Sequence, residues 1–152
     1  MRSWGGAVLC SAALLVPRIM TAAPQRPDSI TFTVVAPQSV GRGEAVPITL
    51  RLTNTGARTL NLYLTGRTIT FDIIVTRADG HVVWHRLQHV TSQQIVQVKT
   101  LAPGERFELK DVWHQRTNAG ARVSAGDYTL TGVIPTDREP LRTVPLRLQI
   151  RP

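Results

Sequence analysis

The sequence predicts an all-β chain, two antiparallel sheets packed face to face, on three observations. Glycine and proline are frequent, at 11 and 10 of 152 residues. Turn signals recur roughly every 8 to 12 residues, the spacing of a sandwich or barrel. Beyond the opening apolar stretch no window carries apolar residues at helical spacing, whereas several alternate strictly. Asp79-Gly80 also stands between two β-branched runs, the strongest short-range hairpin signal. A chain of this length forms one domain with a core that needs no staples.

Met1-Arg2-Ser3-Trp4 is a short basic start, followed by an apolar run from Gly5 to Val16, then Pro17 and the small residues Thr21-Ala22-Ala23. That is the layout of a secretory signal over residues 1–23, too short for a membrane span. The mature protein is therefore expected to be exported, periplasmic or secreted, without stable membrane insertion; a misassigned start codon would leave it cytoplasmic. Cys10, the one cysteine, sits inside the apolar run, so an intramolecular disulfide is impossible and its early position disfavours a lipoprotein signal. Residues 24–29, Pro-Gln-Arg-Pro-Asp-Ser, read as a linker, and residues 30–152 as the domain.

Ile30 to Val35 is a β-branched strand, and Pro37 to Gly43 a turn region. Val46, Ile48, Leu50 and Leu52 alternate with polar residues until Asn54-Thr55-Gly56 ends the strand; Leu60, Leu62 and Leu64 make the next. In the hairpin, Ile69, Phe71, Ile73 and Val75 share a core face, with Thr70, Asp72 and Thr76 opposite, and the Asp79-Gly80 turn is expected to be a two-residue type I′. The return strand carries Val83-Trp84. Ile95 to Val98 is a short strand; after Pro103-Gly104, Phe107 and Leu109 face in while Arg106, Glu108 and Lys110 face out. Tyr128, Leu130 and Gly132 begin the penultimate strand and Leu146, Leu148 and Ile150 mark the last, about nine strands in all, within the range of such sandwiches. Pro47 and Pro145 fit edge or strand-start positions. Gly126-Asp127-Tyr128 is similar to the tyrosine corner of immunoglobulin-like domains.

The net charge is +8; without Arg2 and Arg18 there remain 16 basic residues against 10 acidic, or +6. All but Lys99 and Lys110 of the basic residues are arginines, spread singly along strands and turns. With only eight aromatic residues and no clustered basic face, a nucleic-acid binder is excluded. His81, His85 and His89 are four apart, which on a strand points His81 and His85 to one side but about 13 Å apart, too far to share one ion. No metal site or cofactor is expected. Asp72 and His85 with a nearby hydroxyl are the parts of a nucleophilic triad, but no Gly-x-Ser-x-Gly elbow or helix accompanies them, so Asp72 reads as a structural hydrogen bonder and the chain as non-catalytic. Trp84 and Trp113 read as core pillars.

Gly66, Phe71-Asp72, Asp79-Gly80 and Val83-Trp84 occupy a pattern that resembles the hairpin of the intracellular proteinase inhibitor, or BsuPI, family. Asn54, the turn Leu101-Ala102-Pro103-Gly104-Glu105, Trp113 and Ala125-Gly126-Asp127-Tyr128 extend the resemblance over residues 32–134. Thr70, Ala125 and the residues after Trp84 depart from the family's usual pattern. The resemblance implies an immunoglobulin-like sandwich that occludes the cleft of a serine protease with an exposed loop. The candidate loops are Gly66-Arg67-Thr68, His114 to Ala125 with Arg116 and Arg122, and Gln88 to Gln94. The competing expectation is an envelope module that binds another protein without inhibiting anything. A periplasmic chaperone or copper-handling sandwich is a third, which the confinement of Met1 and Met20 to the signal disfavours for copper.

Overall fold

The computed structural model describes residues 30–88, 95–137 and 139–152, and every regular element among them is a strand. The signal segment with Cys10, the linker, His89 and most of the Gln88–Gln94 loop lie outside the described residues. In chain order the strands are β1 (Ile30–Val35), β2 (Ser39–Gly41), β3 (Val46–Asn54), β4 (Leu60–Thr65), β5 (Asp72–Arg77), β6 (Val82–His85), β7 (Val96–Leu101), β8 (Arg106–Trp113), β9 (Gly126–Ile134), β10 (Leu141–Arg142) and β11 (Leu146–Arg151).

The alternation read from Val46 onward is the spine of one layer. Val46, Ile48, Leu50, Leu52 and Asn54 all point inward from β3, which is flanked by β1 and β8 in an antiparallel sheet. The second layer has the order β2-β11-β9-β5-β6, with β10 also on β9, and β4 and β7 pair as a separate ribbon. Between the layers, Leu50 lies so close to Gly132 that a Cβ there would stand 2.4 Å from its Cδ2. The core is the apolar set these faces share, with Ile73, Leu101, Leu130, Leu148 and Ile150 all at 1% exposure or less. The fold is an immunoglobulin-like β-sandwich.

Five features differ from the sequence expectations. Eleven strands replace about nine, because two short ladders, β2 and β10, form in stretches too brief to show alternation. β2 lies in the region read as a turn and pairs parallel with β11, so the layer is not purely antiparallel. The Asp79-Gly80 connection is a three-residue loop: Gly80 N donates to Arg77 O (2.9 Å), Arg77 N to His81 O (2.9 Å), and of the two only Gly80 has positive φ, +86°. That is a type I turn closed by a glycine bulge, the second common hairpin solution after type I′. Next, β5 starts at Asp72, and Ile69 belongs to a preceding turn closed by Thr70 N on Thr65 O (2.9 Å). Finally, the strand read as Ile95 to Val98 runs instead from Val96 to Leu101.

Pro47 is the second residue of the central strand β3, opposite Val112, but β1 reaches only as far as Thr49, so the strand has a neighbour on one side there. On the outer face Arg51 Nε donates to Glu108 Oε1 at 2.9 Å, a pair whose hydrogen bond holds the Glu108 carboxyl below its usual range. The contribution of that pair is in place above the ordinary carboxylate pKa and fades as pH falls through the lowered folded value.

Candidate functional site

The residues of the sequence pattern are gathered into three clasps. At one end Asn54, fully buried, donates from Nδ2 to Arg58 O (2.8 Å) and Leu101 O (2.9 Å), and its Oδ1 accepts from Gly56 N (3.0 Å). Its backbone closes the Pro103-Gly104 turn, with Asn54 N on Glu105 O and Gly104 N on Asn54 O. Gly104 sits at φ +75° in that turn. Asparagine is needed because one side chain must both donate twice and accept.

The second clasp is at Phe71-Asp72. Asp72 Oδ1 accepts from Ile73 N (2.9 Å) and Leu87 N (3.0 Å), and Oδ2 lies 3.2 Å from His85 Nδ1. Arg86 donates to Phe71 O (3.0 Å), reaches Asp111 of β8 and lays its guanidinium 3.9 Å over the Phe71 ring. The acid and the imidazole of the triad arithmetic do meet, yet no serine or threonine hydroxyl bonds to the other ring nitrogen of His85 among the described residues. Gly66 packs where a Cβ would stand 2.4 Å from Thr70 Oγ1 and has φ +95°; its carbonyl and that of Arg67 accept from the Gln97 amide. Arg67 is exposed at the tip of this tight turn.

The third clasp carries the tryptophans. Trp113 is 1% exposed, meets Tyr128 edge-on at 5.9 Å and Trp84 at 6.4 Å, and donates from Nε1 to Arg116 O (2.8 Å). Tyr128 OH donates to Ser124 O (2.8 Å), the tyrosine corner. Trp84 is half-buried against the core rather than a pillar within it. The cause is an irregular register, with Val82 opposite Thr76 and Trp84 opposite Val75, so that the extra residue Val83 takes the fully buried position. Gly126 opens β9 at φ +146°.

From this clasp the segment His114 to Ala125 leaves the sandwich, and it is held at every turn. Gln115, buried and at φ +53°, accepts from Gly43 N through Oε1 (2.8 Å) and donates through Nε2 to Gly41 O (2.7 Å) and Glu44 O (2.9 Å). Asn118 runs beside β6: its side chain bonds both His85 N (2.8 Å) and His85 O (2.9 Å), and its N donates to Val83 O. The open edge of the larger sheet is thereby covered, a device that blocks edge-to-edge pairing. Arg116 and Arg122 face each other across an antiparallel bridge, and Val123, buried at 3%, donates to Gln115 O (3.0 Å).

Arg116 turns back to donate to Gly120 O (2.8 Å), whereas Arg122 is exposed and carries no hydrogen bond or ion pair among the described residues. Arg42, His114, Arg116 and Arg122 line a cleft of about 260 Å³ between the β2–β3 turn and this loop. Arg42, His114 and Gln115 were not singled out by the sequence; the two glycines flanking Arg42 are its one local signal, and nothing nearby marks Gln115. The described residues hold no group of three or more His, Cys, Asp or Glu that gathers around a metal position.

The chain is similar to parts of several solved structures. They include the alkylpurine DNA glycosylase AlkC of Pseudomonas fluorescens (14% identity, 82% of this chain and 31% of that one, TM-score 0.45). A CARDB domain from Pyrococcus furiosus matches at 12% identity over 80% of this chain and 87% of that one, TM-score 0.43. The sporulation control protein Spo0M of Bacillus subtilis matches at 11% identity over 82% and 50%, TM-score 0.47. This chain thus spans about a third of the glycosylase and half of Spo0M. No curated protein matches the sequence significantly. The family model described as intracellular proteinase inhibitor covers residues 33–139, a stretch that contains all three clasps from Asn54 to Tyr128, and the chain belongs to that BsuPI family.

Proposed function

We propose that this chain is an exported, non-catalytic inhibitor of serine proteases that acts by occlusion, with Arg122 on the segment Ala121 to Ala125 as the side chain offered to the specificity pocket. The family supplies the class of partner. The observation that carries the choice of loop is the unpaired, exposed Arg122 on a backbone bridged to Arg116, anchored by buried Val123 and tied at Ser124 O by Tyr128. Such a segment loses little conformational freedom on docking, which is where affinity is otherwise lost. Arg116 is engaged with its own loop and Arg67 sits on a tight turn, so both are weaker candidates. An arginine there selects a protease whose pocket is acidic. Although the family's description is intracellular, the basic start and apolar run at Gly5 to Val16 support export of this member.

The test uses the full chain expressed in a Gram-negative host and recovered from the periplasm, shortened to begin near Ala23 or Pro24. Arg122→Ala is expected to weaken inhibition of an arginine-preferring serine protease by about a hundredfold or more, the size of an interface hot spot. Arg67→Ala should change it little, and Arg116→Ala by no more than about tenfold, the loss of one charge-assisted contact. Undiminished inhibition by Arg122→Ala would remove this loop from the mechanism, and full-length chain confined to the cytoplasm would remove export.

A second reading, an envelope interaction module, is favoured by one surface. On the outer face of the β4–β7 ribbon, Tyr63 lies opposite Val98, and with Val96 these residues are 46%, 57% and 56% exposed. An apolar face of that kind suits another protein.

A further inference from the structure

We infer that the cleft formed by Arg42, His114, Arg116 and Arg122 is a receptor for the carboxylates of an acidic segment on a partner protein. Three guanidinium groups and an imidazole from two separate loops surround one cleft, and no carboxylate lines it. The acid nearest in sequence, Glu44, is turned onto Gly41 N at 2.7 Å, where it fixes the turn. Arg51 is paired with Glu108 and Arg86 with Asp111, whereas Arg42 and Arg122, like the exposed Arg147, have no ion pair among the described residues; what sets the cleft apart is that its arginines converge on one space.

The cleft is also built. Like charges brought together repel, and flexible loops would relax apart unless tied. Here Gln115 ties them, adopting the one positive φ of a non-glycine residue among those described and bonding three backbone groups of the facing turn. Its placement sets the separation of Arg42 from Arg116. Arg116 uses one nitrogen on Gly120 O and keeps its other donors for a ligand.

Volume and chemistry select the occupant. About 260 Å³ is below the range of pockets that enclose drug-sized organic molecules, and it suits one or two carboxylate side chains entering from outside. Guanidinium groups recognise carboxylates through paired, charge-assisted hydrogen bonds. Nucleic acid is disfavoured because no phenylalanine, tyrosine or tryptophan lines the cleft as a stacking platform for a base. The inference goes beyond the inhibitor reading: Arg122 is shared, but Arg42, His114 and Arg116 give the partner an acidic patch that a specificity pocket alone does not require.

The experiment measures fluorescence polarisation of a labelled oligoglutamate peptide with the mature chain at low salt. Saturable one-to-one binding is expected, weakened about tenfold by Arg42→Ala and by Arg116→Ala, the loss of one charge-assisted contact, and weakened also by added salt. Arg147→Ala, which removes the same charge from an exposed position on β11, should leave binding unchanged, and circular dichroism should show all variants folded. Equal losses from Arg147→Ala and Arg42→Ala, absence of binding, or displacement of the peptide by equimolar inorganic phosphate would each overturn the inference. A chain that binds the peptide and inhibits no protease keeps this inference and loses the inhibitor reading. A chain that inhibits, with peptide binding insensitive to Arg42→Ala, does the reverse.

Discussion

Trp113→Ala is expected to lower the unfolding free energy by about 3–5 kcal/mol, the range for deleting a large aromatic side chain from a core. Trp113 is the largest of the fully buried side chains among the described residues, and it joins the layers by standing on β8 against Tyr128 of β9 and Trp84 of β6. Its removal also strands Arg116 O, the acceptor of its indole N–H. The neighbouring Val112→Ala, at a position 41% exposed, should cost less than about 0.5 kcal/mol. Denaturant titration of the two variants checks this. With total stabilities of about 5–15 kcal/mol typical of such domains, the Trp113 variant should also lose order in the His114–Ala125 loop. A loss of similar, small size from both would place the indole outside the core.

Asn54→Ala should follow with a loss of about 2–4 kcal/mol, because it leaves one buried carbonyl without a partner, at roughly 1–3 kcal/mol, and loosens a part-buried carbonyl and amide that water satisfies in part. The three groups are Arg58 O, Leu101 O and Gly56 N. Asn54→Asp separates packing from hydrogen bonding: it keeps the shape and the acceptor for Gly56 N but removes both donors and places a charge in a buried site. It should be at least as destabilising as alanine in a urea titration. If Asn54→Asp is neutral, the clasp does not stabilise the end of the sandwich.

What was legible in the sequence is what short-range physics dictates. Alternation from Val46 to Asn54 marks a strand with one buried face whatever its partners are, and Pro103-Gly104 marks a turn because of the φ values those residues take. Tyr128 could be read as a corner because its acceptor, Ser124 O, is four residues away. What was not legible depends on distant pairing. β2 exists because Ser39 to Gly41 line up with Gln149 to Arg151, and no local pattern announces it. The demotion of Trp84 from the core follows from a bulge whose cause is the register between β5 and β6. For the candidate site the split is the same. Arg122 was visible as a loop arginine, whereas its distinction from Arg116 rests on a single bond from Arg116 to Gly120 O. The meeting of Arg42 with His114 rests on Gln115 bridging 72 residues.

We propose that this sandwich inhibits a protease and does no chemistry itself. The measurement that tests it most directly is an active-site titration of an arginine-preferring serine protease with the purified mature chain. Residual activity should fall in a straight line to near zero at one equivalent, and the chain should be recovered uncleaved with no hydrolytic activity of its own. Undiminished protease activity at micromolar chain, across serine, cysteine and metalloproteases, would contradict the account.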